Sequence, residues 1–169
     1  AEVIQLPAIR IEPTLDEPPV QAAIESISDY SLLCLTSPNG ANLLFEALAR
    51  AGKDARVLSG TTVAAIGPGT SEALASHEVI ADLVPEKFVA EELVSTLEQV
   101  EVDGKRVLIA RASEARDVLP DALIERGAEV DVVSLYRTVA EELDRAAVEA
   151  AASADYVTFT SSSTVKNLL

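Results

Sequence analysis

Four short stretches carry the residues best suited to holding a ligand: Thr36-Ser37-Pro38-Asn39-Gly40, Gly67-Pro68-Gly69-Thr70, Arg111 to Arg116, and Thr160 to Thr164. Three of them join an apolar run to a stretch of helical period through small hydroxyl, amide or glycine residues. A junction of that kind leaves backbone N–H groups and the positive end of a helix dipole facing outward, which suits an anion. The Gly67-Pro68-Gly69 turn begins like a dinucleotide fingerprint, but Glu72 stands where a third small residue is needed. A P-loop needs a Gly-Lys-Ser/Thr ending, and the chain has none. From these residues alone the stretch is either an anion seat or a glycine-permitted turn with Thr70 as the helix cap.

No nucleophile–base pair stands out. His77 is the single histidine and lies in the polar stretch Ser76-His77-Glu78, so Ser/His/Asp or Cys/His catalysis has no base to use. The 28 carboxylates are spread over helical stretches, and no pair is singled out for acid–base work. Tyr136 is different. It ends a strand-like run next to Arg137, where its phenol could donate a proton or hydrogen bond; the alternative is a core aromatic.

Composition narrows the classes further. A formal charge of −15, with no basic patch or interleaved aromatics, argues against nucleic acid and anionic membrane surfaces as partners. One histidine and one cysteine cannot build the usual nitrogen–sulfur metal sites, so no metal is expected. Cys34 sits within Leu32-Leu33-Cys34-Leu35 and reads as a small buried hydrophobe in a reducing, cytoplasmic protein. The 169 residues suffice for one sizeable core or two small ones. The chain has no methionine, opens on a strand-like Ala1 to Leu6 and stops in a helix-like Val165 to Leu169, so a piece of a longer polypeptide is expected.

Short β-rich runs alternate with helical stretches, the pattern of a parallel α/β sheet. Strands are expected at Leu32–Leu35, Val63–Ile66, Val79–Leu83, Val107–Ala110 and Val130–Leu135. Helices are expected from about Asn39 to Ala51, Thr70 to Ala75, Val89 to Gln99 and Ala115 to Glu125, with Gly52 and Gly127 ending the first and last. Five strands and four helices make a doubly wound unit of flavodoxin-like order. In such sheets ligands bind beyond the carboxyl ends of the strands, where the four stretches fall. Outside this unit, residues 1–11 read as strand and residues 12–19 as a proline-punctuated connector. Residues 139–169 read as an Ala/Glu-rich helix, a strand at Tyr156–Thr160 and a helix start.

The flanks also echo the centre. Ala1-Glu2-Val3 recurs as Ala128-Glu129-Val130, and Leu33-Cys34-Leu35-Thr36-Ser37 answers Val157-Thr158-Phe159-Thr160-Ser161. The expected organisation is therefore two similar lobes: residues 12–138 as one complete lobe, with 1–11 and 139–169 as parts of the other.

Six motifs in register resemble the uroporphyrinogen-III synthase family: Leu35 to Leu48, Val63 to Leu74, Asp82 to Leu93, Gly104 to Leu123, Gly127 to Thr138 and Asp155 to Val165. Glu78 departs from the pattern, where relatives tend to have glycine. The resemblance implies two flavodoxin-like α/β lobes joined by a two-strand linker. It implies cyclisation of hydroxymethylbilane to uroporphyrinogen III, with loss of water and inversion of the last ring, and no cofactor. It makes Tyr136 the proton donor to the departing hydroxyl. Thr36, Ser37, Asn39, Gly67, Gly69, Thr70, Ser161 and Ser162 would hold the substrate carboxylates. A monomer in functional contact with porphobilinogen deaminase follows from the same likeness, as does fusion to a methyltransferase in some members. The competing reading is a non-catalytic α/β clamshell that binds a small anion.

Overall fold

Every residue of Leu32–Leu35 is buried, which a strand satisfies only with cover on both faces of its sheet. In the computed structural model, which describes residues 3–143, 145–159 and 164–165, this run is β2. It pairs in parallel with β3 (Thr62–Ala65) on one side and β4 (Arg106–Ala112) on the other. β4 pairs in parallel with β5 (Glu129–Ala140), and β1 (Ile9–Pro13) lies next to β5, giving the order β1-β5-β4-β2-β3.

Alternation along the strands sorts the core into two layers. Leu33, Leu35, Val63, Ala65, Leu108 and Ala110 share one cluster with Ile24 of α1 (Pro18–Glu25), Leu44 and Leu48 of α2 (Pro38–Arg50) and Leu74 of α3 (Pro68–Ala75). Leu32, Cys34, Ala64, Val107 and Ile109 share the other with Leu93 of α4 (Ala90–Thr96) and with Leu119 and Leu123 of α5 (Val118–Glu125). Each fully buried leucine stabilises the fold by about 1.5–3 kcal/mol relative to exposure. Cys34 belongs to this packing: burial pushes its thiol up to about 12, which leaves it a hydrophobe rather than a nucleophile.

The chain divides into two compact units, Pro13–Arg137 and the pair Ala1–Glu12 with Thr138–Leu169. In the smaller unit, among the described residues, α6 (Arg145–Ala151) follows the end of β5. There the Glu141 N–H donates to the Ala8 carbonyl at 3.1 Å.

Several expectations need correction. Val79–Leu83 is not a strand. It touches the sheet through one parallel bridge, Leu83 to Ala64, because the Asp82 carboxylate takes the Val63 N–H at 2.7 Å in place of a longer ladder. The Pro13–Arg137 unit therefore has four parallel strands plus a bridge, and β3-β2-β4-β5 follows the flavodoxin series over four strands. Pro18 opens α1 instead of prolonging a connector, since proline's missing N–H costs nothing in a first helical turn. Residues 3–8 are irregular and the strand begins only at Ile9; residues 156–159 are irregular too, so their expected match to β2 fails as a strand. α5 starts at Val118, because Arg116 and Asp117 are held by Arg111 (below). His77 is half-buried, its ring stacked on Phe45 at 4.4 Å, instead of solvated.

Candidate functional site

At the carboxyl end of the sheet, β2 and β3 each run into a helix through the same device. α2 has Ser37 as N-cap and Pro38 at its first position; α3 has Gly67 as N-cap and Pro68 at its first position. Proline is preset for that position. The next residue in each, Asn39 and Gly69, carries an N–H with no acceptor inside its own helix, and both residues are exposed. The two helix starts are neighbours: a Cβ on Gly69 would lie 3.5 Å from Pro38 Cγ. Two dipole ends and two outward N–H groups thus share one patch, whose partial positive charge favours an anion.

Ser37 does more than cap. Its Oγ accepts from the Gly40 N–H at 2.9 Å and from the Tyr136 hydroxyl at 2.9 Å. A serine hydroxyl has two acceptor lone pairs and one proton. With both lone pairs taken, the proton is left to donate outward. Gly40 permits the approach, since a Cβ there would sit 3.1 Å from Ser37 Oγ and 3.5 Å from the Ala110 carbonyl.

Tyr136 reaches Ser37 because β5 is irregular there. Val133 pairs with Ala110 and Ser134 with Arg111, but Ala112 pairs with Tyr136, so Leu135 is an extra residue. Strict alternation from Val133 would send Tyr136 to the opposite layer. The bulge instead places Val133, Leu135 and Tyr136 in one cluster. Tyr136 is buried as a core aromatic and also hydrogen-bonded at its tip.

Arg111 opens one of the four candidate stretches, where residue type alone gives it no role of its own. Arg111 ends the apolar run of β4, and burying a guanidinium demands partners. Its Nη1 donates to the Arg116 carbonyl at 2.7 Å and its Nη2 to Asp117 Oδ1 at 2.6 Å, while its Nε, buried, has no partner among the described residues. This clamp closes the loop after β4. From that loop the Ser113 N–H donates to the Tyr136 carbonyl at 2.9 Å. Arg116 in turn holds Glu91 of α4 at 2.7 Å and keeps that carboxyl below its usual range. The signal in the sequence was a charged residue within Val107-Leu108-Ile109-Ala110-Arg111.

Of the expected site residues, Thr36, Ser37, Asn39, Gly67, Gly69, Thr70 and Tyr136 all fall at this end of the Pro13–Arg137 unit. Thr70 is not a cap: Gly67 is, and Thr70 is a buried residue of the first turn of α3. Ser161 and Ser162 lie outside the described residues. Among the described residues no group of three or more His, Cys, Asp or Glu could hold a metal ion, and no helix is long and apolar enough to cross a membrane.

The sequence profile described as uroporphyrinogen-III synthase HemD matches residues 1–169. The chain belongs to the uroporphyrinogen-III synthase family. A porphyrin biosynthesis protein HemD from Ruminiclostridium josui is 31% identical across the whole of this chain and 34% of its own length. A uroporphyrinogen-III synthase from Synechococcus elongatus is 33% identical over 99% of this chain and 64% of its own length. The chain thus spans between about a third and two thirds of these family relatives. A mutant uroporphyrinogen III synthase from the extremely thermophilic bacterium Thermus thermophilus superposes with a TM-score of 0.65 at 20% identity, over 80% of this chain and 52% of that one; the wild type gives 0.63. These structures share the parallel α/β fold.

Proposed function

We propose that this chain is the part of a uroporphyrinogen-III synthase that carries its proton donor and half of its carboxylate seats. The reaction is the cyclisation of hydroxymethylbilane to uroporphyrinogen III, with loss of water and inversion of ring D. The observation that carries the reading is the chain Tyr136 O–H to Ser37 Oγ, set beside the outward N–H groups of Asn39 and Gly69. A substrate with eight carboxylates and a hydroxyl leaving group needs both.

In this reading Ser37 gives its proton to the departing hydroxyl, which leaves as water with the C–O electron pair. Tyr136 refills Ser37. The proton released from carbon as the macrocycle closes passes back through Ser37 to Tyr136, so the enzyme ends as it began. Neutral N–H donors hold carboxylates without adding positive charge, and the acidic surroundings suit a cationic azafulvene intermediate. Positioning the chain for spiro closure is the larger task.

The same reading takes residues 13–137 as one lobe and the smaller unit as part of a similar second one, in a cytoplasmic monomer that receives its substrate from porphobilinogen deaminase. The test is a coupled assay of the full-length protein with that deaminase. Type III porphyrinogen is the expected product. Type I alone, the product of spontaneous closure, would leave an anion-binding module as the better account.

A further inference from the structure

Phe88 lies in the loop before α4 and is 59% exposed. An isolated exposed phenylalanine is ordinary on a protein surface. This one is braced. Gly67 has an extended backbone (φ −177°) that any residue can adopt, so conformation does not call for glycine there. Space does: a Cβ on Gly67 would come within 3.0 Å of Phe88 Cβ, Cγ and Cδ1. The phenyl group therefore rests on the N-cap of α3, two residues from the Gly69 N–H, with over half of its surface in water.

A pyrrole of a linear tetrapyrrole is flat and electron-rich on its faces and carries carboxylate arms on its edge. Recognising one ring takes a flat apolar surface and an anion donor within one arm's length. Phe88 and the start of α3 supply that pair. Resting on the synthase reading above, we propose that Phe88 is a substrate-binding residue whose ring stacks against one pyrrole while that pyrrole's carboxylate reaches the α3 N-terminus. Offset aromatic stacking tolerates the sliding that ring inversion requires, because it has no fixed hydrogen-bond direction.

The experiment uses the full-length protein with hydroxymethylbilane generated by the deaminase. Phe88→Ala is expected to raise KM about fivefold or more with kcat within about threefold. Phe88→Tyr should keep KM within twofold, and Phe88→Leu, which keeps apolar bulk but not the flat face, should lie between them. Phe88→Ala with KM within twofold of the wild type overturns the proposal, provided the wild type makes type III product. If Phe88→Ala lacks cooperative unfolding, the other two variants decide, and equal KM values for Leu and Tyr overturn stacking. A wild type that makes only type I product overturns the synthase reading itself, and this inference with it.

Discussion

Ser37 joins two roles that mutation can separate. As N-cap of α2 its oxygen satisfies the Gly40 N–H, and loss of such a cap costs about 1 kcal/mol. In the proposed relay it sits between the buried Tyr136 phenol and the solvent-facing patch. Positioned proton transfer contributes about 10²–10⁴ in rate. In the full-length protein, Tyr136→Phe and Ser37→Ala are each expected to lower kcat by about 10² or more. The double variant should be little worse than either, since one broken link disables the relay. Multiplicative losses would mean the two groups act independently, and a Tyr136→Phe turnover within twofold of the wild type would remove the relay. Only Ser37→Ala should also lower the unfolding midpoint appreciably, because only it uncaps a helix.

Three helices end by one device, and it shows how much the residues foretold. After α2, α3 and α5 come Gly52, Glu78 and Gly127, all left-handed at φ 69°, 65° and 84°. In each the next N–H reaches back five residues: Lys53 to Leu48, Val79 to Leu74, and Ala128 to Leu123. Gly52 and Gly127 were legible as helix stops because glycine is the residue type for this conformation. Glu78 was legible only as a departure from family usage, since nothing in a glutamate announces positive φ. Glu78→Gly is expected to raise stability by about 1 kcal/mol and Gly127→Ala to lower it by about 1–2 kcal/mol. Urea unfolding at neutral pH measures both, and shifts of the same sign would sink the argument. Strand and helix alternation was readable for the same reason of residue type, but the helix starts were expected at about Asn39 and Thr70, whereas the helices begin at Pro38 and Pro68. The Leu83 bridge and the buried Arg111 clamp were not readable: the first turns on the Asp82 carboxylate reaching back to the Val63 N–H of β3, and the second on Arg111 folding onto Arg116 and Asp117 of its own loop, neither of which residue type announces.

For the molecule as a whole, one cluster at the amino end of the sheet couples stability to pH at both extremes. Tyr30, nearly fully buried, donates to Asp131 Oδ2 at 2.6 Å, and Arg106 donates to the same oxygen at 2.7 Å. The Tyr30 bond, followed by Arg106, holds the Asp131 carboxyl below its usual range despite partial burial. Its stabilising effect is full above the unfolded carboxyl range of about 4 and is lost as pH falls through the lower folded value. Burial first, and the Asp131 bond second, pushes Tyr30 up to about 12. That effect is full below about pH 10 and is lost as pH rises from there through the folded value. Asp131→Asn should lessen the fall in urea midpoint below about pH 4 and part of the alkaline fall, whereas Tyr30→Phe should remove the tyrosine's share of the alkaline fall and leave that of the buried Cys34 thiol, whose folded value is also raised. Curves parallel to wild type for both variants would dissolve the coupling. Far from this cluster, the extra residue at Leu135 has a consequence for the chain's tolerance of length change. It acts as a pinned dislocation in the sheet, fixed where Arg111 meets Ala112. Insertions or deletions in the turns at 101–105 or 126–128 would be absorbed before reaching it, so Tyr136 keeps its address while the surface upstream is free to drift.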